Sequence, residues 1–96
     1  MQKVIAQFNV PGMTARQYDQ VMKDLEAAGF KAPKGRISHV ASEQPNGWLV
    51  IDIWDSAETL NEFAKTLIPI LIKNGVTPPQ PTVLPVYNNM VISILQ

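Results

Sequence analysis

An α+β fold with the element order β-α-β-β-α-β is what this sequence predicts, and three observations carry it. Two stretches, from Ala15 to Ala28 and from Asp55 to Lys73, show the apolar spacing of amphipathic helices. Between them lie two extended runs joined by Pro45-Asn46-Gly47, a hairpin signal. The second of those runs, Gly47 to Trp54, is apolar on both faces, so both sides of its sheet call for cover. A length of 96 residues fits one domain over 1–96, built on a single core.

The elements follow in order. Lys3 to Val10 alternates, with Val4, Ala6, Phe8 and Val10 on one side and Ile5, Gln7 and Asn9 on the other, the period of two expected of a strand. Pro11-Gly12 stops it, and Thr14 suits the N-cap of the first helix. Tyr18, Val21, Met22, Leu25 and Ala28 form that helix's apolar stripe, and Gly29 closes it. Residues 30–35, with Pro33 and Gly35, read as a loop. A second strand from about Arg36 to Glu43 places Ile37, His39 and Ala41 on one face and Ser38, Val40 and Ser42 on the other. Taking Asn46-Gly47 as a two-residue turn pairs Pro45 with Trp48.

Asp55, with Glu58 three residues on, predicts a capping-box-like start to the second helix. Its buried stripe is Leu60, Phe63, Ala64, Leu67 and Leu71. Pro69 cannot bond the Lys65 carbonyl, which predicts a kink or break near residue 68. Ile68, Ile70 and Ile72 add apolar surface outside the stripe, a pattern that calls for cover beyond the helix's own sheet. Lys73-Asn74-Gly75 ends the helix, and Thr77 to Pro81 is a stiff connector. Val83 to Val86 supplies a fourth strand whose Pro85 suits a sheet edge. Val91 to Leu95 reads as a short fifth strand or as an arm that reaches a partner. The order is that of a ferredoxin-like sandwich, an antiparallel sheet with two helices on one face.

One layer of helices covers one face of such a sheet. Leu49, Ile51 and Ile53 read as ordinary core, which assigns Trp48, Val50, Asp52 and Trp54 to the bare face. A second copy of the chain is the simplest cover for it, so a homodimer is expected.

Composition narrows the function. Apolar residues make up 46% and charged residues 17%, a globular balance. Eight basic residues offset eight acidic ones without clustering, so neither nucleic acid nor an anionic membrane is an expected partner. The absence of cysteine excludes disulfides and thiolate chemistry. One histidine and no cysteine form no recognisable transition-metal set, so no metal and no cofactor are expected. Glycine-rich phosphate loops and nucleophile-elbow serines are also lacking. Met1 to Gln7 turns polar too early for a signal peptide, and the run Leu67 to Ile72 is too short to span a bilayer. The expected location is cytoplasmic.

The combination of Pro11-Gly12-Met13-Thr14, Tyr18, Ile37-Ser38-His39-Val40-Ala41, the run Gly47 to Ser56 and Phe63 resembles a group of small, uncharacterised bacterial proteins. These have the dimeric α/β-barrel fold and are related to antibiotic biosynthesis monooxygenases. The resemblance covers Phe8 to about Asn88, and its most specific piece is Trp54-Asp55-Ser56 leading into a helix. It implies a homodimer in which two bare sheet faces pack into one barrel, with a ligand cavity in each half. The superfamily includes cofactor-free oxygenases of polyketide-like aromatics, haem-degrading enzymes, muconolactone isomerase-like enzymes and proteins without known activity. The haem-degrading branch relies on a histidine in or after the second helix, and this chain has none there. At Pro85-Val86-Tyr87-Asn88 the group often has histidine where this chain has Tyr87.

The residues themselves suggest a site. On the expected register His39 faces Trp54 and lies diagonal to Asp52, with Ala41 opposite Asp52. A carboxylate beside an imidazole fixes its tautomer, as a general base requires, so His39 and Asp52 are the candidate catalytic pair. Trp48 and Trp54 would wall a planar substrate. Gln7 or Asn9 would donate to a carbonyl or enolate, and Tyr87 would close the cavity. The expected function is binding of a small aromatic or hydrophobic molecule, with cofactor-independent monooxygenation as the reaction. Each residue also has a structural reading: His39 as a satisfied strand residue, Asp52 as an interface or edge carboxylate, the tryptophans as interface burial, Asn9 as turn support, Tyr87 as a strand cap and Tyr18 as core. The alternative functions are a non-catalytic ligand-binding or stress-related protein and a purely structural dimer.

Overall fold

A computed structural model describes residues 2–91. The elements are β1 (Val4–Pro11), α1 (Ala15–Ala27), β2 (Arg36–Gln44), β3 (Gly47–Trp54), α2 (Ala57–Lys73) and β4 (Thr82–Pro85). All strand pairs are antiparallel, and the sheet order is β2-β3-β1-β4, the ferredoxin-like arrangement. The fifth strand or arm expected at Val91 to Leu95 lies almost wholly outside the described residues.

Both helices begin at a side-chain N-cap. At α1, Thr14 accepts from the Gln17 amide and the Gln17 side chain returns the bond to the Thr14 amide. That reciprocal pair satisfies two orphan donors. At α2 the cap is Ser56, not Asp55; Ser56 Oγ accepts from the Thr59 amide, while Asp55 accepts from the Thr59 hydroxyl at 2.6 Å. Asp55 is displaced outward because its own amide is still bonded to the Gly35 carbonyl. Each helix ends in a Schellman motif, with Phe30 bonding back to Leu25 and Val76 to Leu71. The helices are then tied together by the Asn74 amide, which donates to Asp24 at 2.9 Å, and by Gln17, which donates to the Asn74 carbonyl. That bond from Asn74 holds the Asp24 carboxyl below its usual range.

Of the kink or break expected near residue 68, the break does not occur: α2 runs continuously through Pro69. Lys65 and Pro69 share an exposed side, while Leu60, Phe63 and Leu71 keep the opposite side buried. Ile68 and Ile72 lie exposed on the outer surface.

The hairpin turn is Pro45-Asn46, since Gln44 pairs with Gly47. A type I′ turn on Asn46-Gly47 would need Asn46 at positive φ, and no described residue other than glycine has one. Pro45 instead supplies the fixed φ that a type I turn takes at its second position. Gly47 is left free for a close approach to β1, where a Cβ would stand 2.5 Å from the Val10 carbonyl oxygen. The shifted register sets His39 directly opposite Asp52, Ala41 opposite Val50 and Glu43 opposite Trp48.

The largest correction concerns the faces of the sheet. Trp48, Val50, Asp52 and Trp54 share a face with Val4, Ala6, Phe8 and Val10, and both helices of the same chain cover it. Trp54 is fully buried against Phe63 of α2, with ring centres 5.3 Å apart, and Trp48 stacks on Tyr18 of α1 at 4.9 Å. The bare face is the other one: Ile5, Leu49, Ile51, Ile53, Val40 and Leu84, interspersed with Gln7, Asn9, Ser38, Ser42 and Thr82. Alternation tells which residues share a face but not which face the helices take. Here the aromatic stripe residues Tyr18 and Phe63 match the two indoles.

Trp54→Ala is therefore expected to lower the stability of the folded chain itself, by about 3–5 kcal/mol, through a cavity under α2. Denaturant unfolding at several protein concentrations checks this. A loss seen only as weaker self-association would contradict the burial found here.

Candidate functional site

The site is built where β2 and β3 pair beneath α1. Asp52 is buried, 3% exposed, on the helix-covered face. Its Oδ1 lies 2.6 Å from His39 Nδ1 and its Oδ2 accepts from Trp54 Nε1 at 3.2 Å. A carboxylate only accepts, so the His39 proton resides on Nδ1. With its proton on Nδ1, His39 presents Nε2 as an acceptor, and the Tyr18 hydroxyl donates to it at 2.6 Å. The result is a hydrogen-bonded chain, Tyr18 to His39 to Asp52, braced by the Trp54 indole.

Electrostatics agree with those roles. Burial pushes the Tyr18 phenol above its ordinary value; the Arg36 charge works against that shift and the Asp52 charge with it. Tyr18 is thus neutral and a donor at physiological pH. The sign follows for stability: this phenol favours the folded state fully below the ordinary tyrosine value of about 10, and that contribution is lost as pH rises through its higher folded-state value.

Tyr18, His39 and Asp52 open onto a cavity of about 60 Å³ between sheet and helices. Its other walls are almost wholly apolar, among them Phe8, Val50, Phe63 and Leu67, with Pro79 of the connector at its rim and Arg36 as the remaining polar residue. That volume holds a few waters, well short of a drug-sized pocket.

Of the residues expected from sequence, the structure brings His39 and Asp52 together in direct contact. Trp48 and Trp54 stand behind Tyr18 and Asp52 and do not line the cavity. Trp48 Nε1 is buried without a hydrogen-bond partner. Asn9 and Gln7 point from the opposite face of the sheet. Tyr87 is fully exposed and away from the cavity. Sequence reasoning missed Tyr18 and Arg36 as site residues. A tyrosine on a buried helical stripe needs a partner for its hydroxyl, which is the signal that could have found the first. Arg36 was hidden by a β-bulge at Ile37, which nothing in the sequence marks.

No family model matches this sequence, and none of the curated proteins does. Solved structures do share its fold. A protein of unknown function from Nitrosomonas europaea superposes with a TM-score of 0.66 at 14% identity, covering 97% of each chain. SnoaB, a cofactor-independent oxygenase from Streptomyces nogalater, gives 0.65 at 11% identity, over 94% of this chain and 98% of its own. A candidate antibiotic biosynthesis monooxygenase from Deinococcus radiodurans gives 0.59 at 19% identity, over 97% and 99%. The ferredoxin-like fold of the antibiotic biosynthesis monooxygenase structures is thus the fold of this chain. No helix among the described residues is long and apolar enough to cross a membrane.

Proposed function

We propose that this protein is a cofactor-independent oxygenase of a small, acidic hydroxyaromatic molecule, with His39 as general base and Asp52 as the group that orients it. The Tyr18–His39–Asp52 chain opening onto an apolar cavity is the observation that carries the reading. The shared fold with a cofactor-independent oxygenase supports it.

The chemistry balances without a further reductant. A substrate proton passes to Tyr18 Oη as the Tyr18 proton moves to His39 Nε2, and the imidazolium is stabilised by Asp52. The substrate carbanion then gives an electron to dioxygen, and the resulting radical pair combines to form a C–O bond. His39 returns its proton to give the hydroperoxide. Removal of the remaining C–H proton cleaves the O–O bond and releases water, so CH2 and O2 become C=O and H2O. Apolar walls favour this course because they disfavour a lingering charge and exclude bulk water. Trp48 and Trp54 serve by backing Tyr18 and Asp52.

The same reading includes a homodimer closed through the bare face. Ile5, Val40, Leu49, Ile51, Ile53 and Leu84 form an apolar surface of the kind that marks an interface, and a twin sheet packs on it face to face. The cavity lies on the helix side, so dimerisation leaves it open.

One observation favours a second reading. At about 60 Å³ the cavity is smaller than a ring-bearing substrate needs, as a non-catalytic protein with a well-filled core would have it. On the oxygenase reading, the substrate displaces adaptable wall residues such as Met13 and Met22, which thioether flexibility allows.

Two outcomes check the proposal. Oxygen uptake with hydroxynaphthalene or anthrone-type compounds is expected to fall about 10²–10⁴-fold in His39→Ala; unchanged turnover would remove the base assignment. Ile51→Lys is expected to convert a two-chain species into a folded single chain in sedimentation. A wild-type protein that already sediments as one chain would remove the dimer.

A further inference from the structure

The edge strand β2 contains one irregularity, and it lies beside the site. Strict alternation would put Arg36 and His39, three residues apart, on opposite faces of the sheet. Instead the register shifts between Arg36 and Ser38: Arg36 pairs with Trp54 and Ser38 with Ile53, leaving Ile37 as an extra residue. The bulge turns Arg36 onto the helix-covered face, the face of His39 and Asp52. Its cost is visible, since the displaced Ile37 side chain is 45% exposed.

Arg36 lines the cavity with Tyr18, His39 and Asp52. Among the described residues its guanidinium has neither an ion-pair nor a hydrogen-bond partner, while both Asp52 oxygens are taken by His39 and Trp54. It is therefore the one uncommitted charge facing that space among the described residues. Tyr18 feels it: the Arg36 charge opposes the upward push that burial gives the phenol. A half-buried cation without a counter-charge, brought to a cavity wall by a backbone irregularity, has the chemistry to pair with an anion.

We propose that Arg36 is the anion-recognising residue of this cavity, and that its ligand is a small aromatic carrying a carboxylate, bound to Arg36, next to an acidic hydroxyl that faces Tyr18 and His39. The proposal rests on the cavity being a ligand site, as above, and adds the substrate class. Carboxylate binding at Arg36 leaves Tyr18 and His39 free for the hydroxyl, so recognition and proton transfer use different groups. Pairing with the guanidinium also offsets the carboxylate charge that would otherwise oppose deprotonation of the neighbouring hydroxyl.

Calorimetric titration with salicylate and its neutral isostere salicylamide tests this, with no turnover required. Wild-type protein is expected to bind salicylate at least tenfold more tightly than salicylamide. Arg36→Gln is expected to abolish that preference by weakening salicylate binding much more than salicylamide binding. Arg36→Lys, which keeps the charge but loses the bidentate fork, is expected to retain part of it. Matching thermal melts for the three proteins show that folding is not the cause. Equal binding of the two ligands by wild type, unaltered salicylate preference in Arg36→Gln, or binding of neither ligand at millimolar concentration would each overturn the proposal. Preference for salicylate without oxygen uptake from any hydroxyaromatic would sustain it and remove only the oxygenase reading.

Discussion

A buried carboxylate organises this molecule. Asp52 lies in the middle strand of a β2-β3-β1 ladder, on the side sealed by both helices. A charge so placed is tolerated only when its oxygens are hydrogen-bonded, and here each has a partner. Those bonds dictate much of what surrounds it. The Trp54 indole is held with its N–H toward β3 and its ring against Phe63, and the His39 tautomer is set. That tautomer in turn leaves an acceptor for the Tyr18 hydroxyl arriving from α1. Helix and sheet are joined at this point by polar bonds inside an otherwise apolar core.

The two faces of the sheet differ accordingly. On the inner face, aromatic stacking of Trp48 on Tyr18 and of Trp54 on Phe63 fixes the distance between sheet and helices and leaves a small gap beside the polar chain. On the outer face, aliphatic side chains are interspersed with serine, asparagine, glutamine and threonine. On the proposed reading, chemistry on one side and assembly on the other would not compete for the same residues. A substitution on either face can then be read for one consequence at a time.

Much of this was legible in the sequence, and the exceptions have physical causes. Alternation in Lys3–Val10 and Gly47–Trp54 and the stripes of α1 and α2 specify the elements, because burial imposes those periods directly. The His39–Asp52 pair was found even though the expected hairpin register was off by one residue on each strand; such an offset keeps the same faces together. What failed was the choice of covered face. Tryptophans flanking an aspartate look like an interface when read one strand at a time, and only the reach of Tyr18 and Phe63 from separate helices decides otherwise. Arg36 was lost for a different reason. A single extra residue at Ile37 inverts the alternation, and an isoleucine at the start of a strand gives no warning of it.

His39 is the only histidine of the chain, so its ring nitrogens can be observed without ambiguity by ¹⁵N NMR at neutral pH. The account predicts a proton on Nδ1, shifted downfield and slow to exchange with water because it is held between the ring and Asp52. A ring protonated on Nε2, or one averaging freely between tautomers with rapid solvent exchange, would contradict it.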